Sequence, residues 1–160
     1  MNVFILPLER KHAEISYKWR NNPDVWKLTG SKPDRYITFQ MEDEWIQGAI
    51  SNPTQKRYAI IVDEVYVGNV QLTDIKDNSA EFHIFIGDTQ YWGRGVATIA
   101  TKLMIELAFN TYLFSEIYLF VKKQNIAAIR VYEKCGFVYY TEVDENIKMV
   151  IKRQDYDSKC

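Results

Sequence analysis

The sequence predicts an α+β fold: a mixed sheet of five or more strands with about four helices. Two observations carry that prediction. Tyr58 to Val62 and Val65 to Leu72, both rich in β-branched and aromatic residues, flank the polar pair Asp63-Glu64 and read as a hairpin, which argues against a purely parallel sheet. Further on the pattern changes, because Gly87, Gly93 and Gly95 lead into Ala97 to Asn110, where Ile99, Leu103, Leu107 and Ala108 follow helical spacing.

The elements follow in order. Val3 to Leu6 is a short apolar run ended by Pro7. Glu9 to Trp19 fits strand or helix by its apolar positions Ala13, Ile15, Tyr17 and Trp19, and its charged residues, good helix formers, favour helix. Asn21-Asn22-Pro23 reads as a stop, Thr29 to Pro33 as a turn, and Phe39 to Ile50 as a helix closed by Asn52-Pro53. After the hairpin, the turn Lys76-Asp77-Asn78-Ser79 precedes a third strand, Ala80 to Ile86. Beyond the glycine loop and its helix come a strand at Ile117 to Val121 and a short helix at Ala127 to Lys134, stopped by Gly136. Phe137 to Tyr140 and Ile147 to Ile151 are closing strands. No repeat or linker divides the chain.

Composition narrows the partners. With 160 residues, 47% of them hydrophobic, the chain suits one domain whose core needs no disulfide. A net charge of -1, from 20 basic and 21 acidic side chains, lacks the basic footprint of a nucleic-acid binder. Cys135 and Cys160 form neither a metal-ligand nor a secreted-disulfide pattern, which points to a reducing, cytoplasmic setting. The first residues, Met1 to Pro7, lack the basic start of an export signal, and no apolar run is long enough to span a bilayer, so no membrane association is expected.

Phe82 to Thr98 concentrates the chemistry, as a strand feeding a glycine loop that opens a helix. Glycine lets backbone approach a ligand closely, and the first helical turn offers unpaired N–H groups at the positive end of the helix dipole, a geometry suited to pyrophosphate. Gly93 and Gly95 would equally serve a tight turn with no ligand. The three-glycine dinucleotide fingerprint and the Gly-Lys-Ser/Thr ending of the P-loop are both absent, which disfavours those nucleotide folds.

Gly93-Arg94-Gly95-Val96-Ala97-Thr98 on this turn, followed by Asn-Ile-Ala-Ala-Ile-Arg-Val-Tyr-Glu-Lys-Cys-Gly-Phe from Asn125 to Phe137, resembles the acetyl-CoA site of the GNAT N-acetyltransferase superfamily. The likeness spans roughly residues 55 to 140. Upstream, Trp19-Arg20-Asn21-Asn22-Pro23-Asp24-Val25 is similar to the branch containing ribosomal-protein N-terminal, spermidine and sugar-nucleotide amine acetyltransferases. The resemblance implies a single GNAT-like domain over residues 1–160, with a central mixed, mostly antiparallel sheet of about six to seven strands flanked by about four helices. It puts the acetyl-CoA site mainly in residues 80–137 and the acceptor side mainly in 1–55 and 140–150. Acetyl-CoA is then a co-substrate, no metal is needed, the partner is a small-molecule amine, and a homodimer is a compatible assembly. Two departures matter. The loop fits the family pattern in two registers, Gln90 with Gly93 and Gly95, or Trp92 with Gly95 and Ala97. The tail reads Val143-Asp144-Glu145-Asn146, without the Asn-Gly turn common in this branch, and leaves the acceptor open.

Direct attack of an amine on an acetyl thioester requires a neutral amine, stabilisation of the oxyanion and a proton for the departing thiolate. By resemblance Tyr132 is the general acid, its alternative being an ordinary core tyrosine. Cofactor contacts fall by resemblance on Trp92, Gly93, Arg94, Gly95, Val96, Ala97 and Thr98, on the backbone of Ile84, Phe85 and Ile86, and on Asn125, which otherwise is simply a helix N-cap. For the base, strand alternation groups Glu81 with His83 and Phe85 on one face, so Glu81 is the first choice and His83 the second, each against the reading of a solvent-exposed strand residue. Trp19, Trp26 and Trp45 with Glu42-Asp43-Glu44 would suit an amino sugar or a polyamine, or are core tryptophans beside a solvated helix start. Glu142, Asp144 and Glu145 are read in the same two ways, and Cys135 as a packed helix-end residue. The competing functions are acetylation of a protein N-terminus, on the same scaffold, and a non-catalytic acyl-CoA-binding module, against which the retention of Tyr132 argues.

Overall fold

The structure, a computed structural model, describes residues 1–158, so Cys160 lies outside the described residues. Strand β1 (Val3–Pro7) lies at one edge, where its closing proline leaves no central ladder broken, and runs antiparallel to β2 (Lys56–Val62). Asp63 and Glu64 take left-handed backbone, with φ 46° and 71°, and turn β2 into β3 (Val65–Lys76) as the expected hairpin. Asp77 and Asn78, also left-handed, turn β3 into β4 (Ser79–Ile86). The sheet continues through β5 (Glu116–Lys122) and β7 (Asn146–Lys152) to β6 (Val138–Val143) at the far edge, in the order β1-β2-β3-β4-β5-β7-β6. Among the described strands only β4 and β5 are parallel.

Helices cover both faces. A 3₁₀ turn at Arg10–His12 leads into α1 (Ala13–Arg20), followed by α2 (Pro23–Thr29) and α3 (Phe39–Ile50). After β4 come α4 (Val96–Asn110) and α5 (Ile126–Lys134), and α6 (Arg153–Ser158) closes the described chain. The described residues thus hold six α-helices where the sequence suggests about four. Asn21-Asn22-Pro23 is a stop and a start at once: Asn22 accepts from the Asp24 amide at 3.0 Å, and Pro23 opens the next helix.

Alternation along the strands sorts the core. Ile60, Val62, Leu72, Phe82, Ile117, Leu119 and Met149 pack with Ala100, Met104, Ala108 and Phe109 of α4, while Ala59, Ile61 and Tyr66 pack on the other face with Ala13, Trp19 and Ile46. Between β4 and β5 the sheet opens. Their pairing covers only Ser79–Glu81 against Glu116–Tyr118, whereas β4 runs on to Ile86 and β5 to Lys122. From Phe82 onward the two facing backbone edges diverge around a wedge. No helix among the described residues is long and apolar enough to cross a membrane.

Candidate active site

The wedge ends on the glycine loop. Asp88 accepts from the Gln90 amide at 3.1 Å to cap a short 3₁₀ turn, and the Trp92 indole N–H donates to the Ile86 carbonyl at 2.9 Å, tying the loop back to β4. Gly93 and Gly95 are left-handed, with φ 71° and 82°, and Gly95 is the N-cap of α4. The first helical bond runs from the Ile99 amide to the Gly95 carbonyl. Upstream of it, the amides from Gly93 to Thr98 make no hydrogen bond among the described residues. A Cβ added at Gly93 or Gly95 would meet nothing within 4 Å, so φ rather than crowding demands glycine, and the surface over these amides is open. Consecutive free N–H groups at a helix start form an anion cradle. Both sequence registers draw on this one row; the register with Trp92 puts Gly95 at the N-cap and Ala97 in the first turn. The Arg94 guanidinium stands 4.9 Å from the Tyr91 ring beside the cradle.

On the α4–α5 side of the wedge, the Tyr132 ring meets Phe82 and Phe137 edge-on, each at 6.0 Å. Burial, with Cys135 nearby, pushes its phenol up to about 12, so it is protonated at neutral pH. Asn125 opens α5 by accepting from the Ala128 amide at 3.2 Å, and its amide NH₂ makes no hydrogen bond among the described residues. Cys135 caps the end of α5 and directs its thiol at the Thr98 carbonyl, 3.6 Å away, fastening that helix to the first turn of α4.

The opposite face carries the titratable groups. Phe82 is buried in the core, and Glu81 and His83 point the other way, half-buried and exposed. The His83 Nε2 lies 3.1 Å from Glu81 Oε2 and 3.1 Å from Thr73 Oγ1. Burial is the main influence on the imidazole and lowers its pKa; Glu81 opposes that shift and Arg57 adds to it. His83 is therefore neutral at pH 7, and we assign its proton to Nε2 from these two acceptors, leaving the Nδ1 lone pair free. Next to Glu81 in the parallel register is Tyr118, whose hydroxyl donates to Asp74 Oδ2 at 3.1 Å. Burial, then Asp74, Glu81 and Glu116, push that phenol up to about 12.

The front third is organised differently from the acid-and-aromatic surface raised as one reading of the sequence. Trp19 is core, packed on Tyr66 and Phe85. Glu42 is 3% exposed and accepts from Ser16 at 2.7 Å and Arg20 at 2.8 Å, and Asp43 pairs with Arg10 at 2.8 Å. Glu42 is spent inside the fold and Asp43 on a surface ion pair. Trp26 is half-buried, with the Lys32 ammonium 5.4 Å from its ring. Trp45 alone of the three is exposed, between the guanidiniums of Arg20 and Arg57 at 5.7 and 4.7 Å. Glu142 pairs with Lys123 at 2.8 Å, away from the wedge's titratable pair. Sequence reasoning passed over Arg57, Gln71, Thr73, Asp74, Tyr118 and Lys148, because only strand register brings them beside Glu81 and His83.

A family model described as an acetyltransferase (GNAT) domain matches residues 2–138. The chain is 31% identical over 138 residues to the spermidine N(1)-acetyltransferase of Escherichia coli K12, covering 85% of this chain and 73% of that one. It is 24% identical to the acetyltransferase PseH of Campylobacter jejuni, covering 92% and 90% of the two chains. Its fold superposes with a TM-score of 0.84 on a spermidine N-acetyltransferase from Vibrio cholerae solved with CoA and spermine, at 24% identity and 96% and 97% coverage.

Proposed function

The chain belongs to the GNAT acetyltransferase family, and from that membership we propose that it moves the acetyl group of acetyl-CoA directly onto the primary amine of a small molecule. The observation that carries this reading is the wedge, where β4 and β5 part beyond Glu81 and Tyr118, with Tyr132 packed on the Phe82 face of the sheet and the Glu81–His83 pair on the other face. The residues present fit coenzyme A at both ends. The free amides from Gly93 to Thr98 would hold its pyrophosphate, the backbone of Ile84, Phe85 and Ile86 would pair with its amide-bearing arm as an added strand would, and the Asn125 NH₂ is placed to donate to it. When bound, acetyl-CoA supplies the activated acyl group.

The chain's own groups then divide three tasks. The Glu81–His83 pair takes the proton of the incoming ammonium, with Glu81 accepting from Nε2–H and the free Nδ1 as the receiving atom. Backbone N–H groups of the unpaired β4 edge stabilise the oxyanion. The Tyr132 hydroxyl protonates the thiolate; its raised pKa does not forbid this, because the burial that raises the phenol also raises a thiolate left in the same site. We place the reaction in the cytoplasm, a reducing setting that suits the free thiol of Cys135, and assign the β6 edge, exposed along its whole length, to a second copy of the chain. Thiol release from acetyl-CoA, screened against amino-sugar nucleotides, polyamines and N-terminal peptides, tests the assignment. Turnover with small amines is expected; release with peptides alone, or with none of the panel, would overturn it.

A further inference from the structure

Resting on that reading, we propose that the acceptor amine carries an anionic oxygen group, phosphoryl or carboxylate, and that Arg57 of β2 is the residue that receives it.

Arg57 is a half-buried cation without an anion. Its guanidinium stacks 4.7 Å from the Trp45 ring, its one hydrogen bond runs from Nε to Gln55 Oε1 at 2.7 Å, and no carboxylate stands within ion-pair distance among the described residues. Burying a charge is costly unless a partner compensates it. The carboxylates that α3 brings near are committed elsewhere, Glu42 to Arg20 and Asp43 to Arg10, while Glu44 is exposed and accepts from Gln40. Arg57 faces a cavity of about 310 Å³ lined also by Glu44, Trp45, Asn52 and Gln55.

Strand register connects that cavity to the Glu81–His83 pair. Arg57 pairs with Gln71 and Gln71 with His83, so the three share one face of the sheet, and two strand spacings separate the ends by roughly 10 Å. The middle member is incomplete as well, since the Gln71 side-chain oxygen is buried with no donor. A ligand lying along this row would supply both missing partners, an anion for Arg57 and an N–H or O–H for Gln71.

The other flank has the opposite character. Asp74, Glu81 and Glu116 surround the Tyr118 hydroxyl, which suits the ammonium end of an acceptor. The aromatic seat beside it is taken by the chain's own Lys148, whose ammonium lies 4.7, 5.2 and 5.9 Å from the Tyr118, Tyr140 and Phe120 rings. A polycation finds its cation–π site filled, whereas an amine with an anion about one sugar ring away finds complementary charge at both ends.

The test compares amines that differ only by the anion: glucosamine 6-phosphate against glucosamine, and 6-aminohexanoate, whose extended chain spans the row, against 6-aminohexanamide, by kcat/KM at saturating acetyl-CoA. The pair showing the preference identifies the source of the anion. The parent should favour the anionic member about tenfold to a hundredfold, the range of a charged hydrogen bond, and Arg57→Gln should level the two. Equal rates for both members in the parent, a preference for spermidine, or an equal loss on both members in Arg57→Gln would overturn the proposal and leave Arg57 as a clamp on Trp45. Independently of turnover, calorimetry with coenzyme A saturating, which fills the glycine loop, should show inorganic pyrophosphate binding to the parent and not to Arg57→Gln. Absence of that binding in the parent, together with equal rates within the carboxylate pair, also overturns it. Arg57→Lys, which keeps the charge, should retain part of the preference and serves if the Gln variant folds poorly. Failure of every amine would count against acetyl transfer itself, and pyrophosphate binding still decides the role of Arg57.

Discussion

A phenol raised to about 12 keeps its proton through neutral pH, so Tyr132 is available there as a donor. Tyr132→Phe should therefore lower kcat by about tenfold to a thousandfold while leaving acetyl-CoA affinity nearly unchanged, which single-turnover kinetics and calorimetry would show together. Unaltered turnover in that variant would make Tyr132 a packing residue against Phe82 and Phe137. The Glu81–His83 pair predicts a pH signature instead. Because burial lowers the imidazole pKa below 6.5, His83 is a competent base through neutrality and is lost to protonation on the acid side. Glu81→Gln should depress kcat/KM most at low pH and recover partly in alkali, and His83→Ala should move the acid limb itself. If neither profile departs from the parent, water deprotonates the amine. Glu81 and His83 were legible in the sequence because alternation within one strand is local. Thr73 and Arg57 were not: Thr73 meets His83 only through the register of the β3–β4 hairpin, and Arg57 lies one strand further along the same row, on β2.

Among the elements, the glycine loop makes the sharpest prediction. Gly95 sits at φ 82° with open space where a Cβ would go, so Gly95→Val strains the backbone by about 1–2 kcal/mol and covers the amide row without a clash inside the fold. Calorimetry should show acetyl-CoA binding abolished while the circular dichroism spectrum stays that of the parent; unchanged affinity would move the phosphate site elsewhere. Most elements were readable from periodicity and turn chemistry, and helix α3 was placed over the same residues, Phe39–Ile50. Helix α2 was hidden because Asn22-Pro23 ends one helix with the same residues that begin another, and α6 because its six residues, Arg153–Ser158, are too few for a periodic signal. The tryptophans of the front third look alike in sequence; only packing separates the buried Trp19 from the exposed Trp45.

For the whole molecule, pH acts on stability through His12. Its Nδ1 accepts from the Glu9 amide at 2.9 Å while the ring packs 4.5 Å from Tyr66, and burial first, then Lys11, hold its pKa below 6.5. The unfolded chain binds this proton more readily than the folded one, so the contribution is complete above 6.5 and is lost as pH falls toward the folded value. Melting temperature should decline as the pH is lowered from 7 through this window, and His12→Asn, which keeps an acceptor but cannot titrate, should flatten the decline. A parallel decline in both proteins would assign the effect to other groups.

The three-residue junction of β4 with β5 also makes the sheet a pair of blades, β1 to β4 and β5 to β6, sewn along a short seam. A coenzyme seated in the wedge would act as a removable strand that closes that seam. Exchange of the amide hydrogens of residues 82–86 with deuterium should then slow several-fold when coenzyme A is added, while the β2–β3 hairpin, already paired except at the bulge beside Ile60 and Ile61, keeps its rate. At a hundred times its dissociation constant, the ligand should add about 2.7 kcal/mol to the resistance of both blades to unfolding, and the two should melt together.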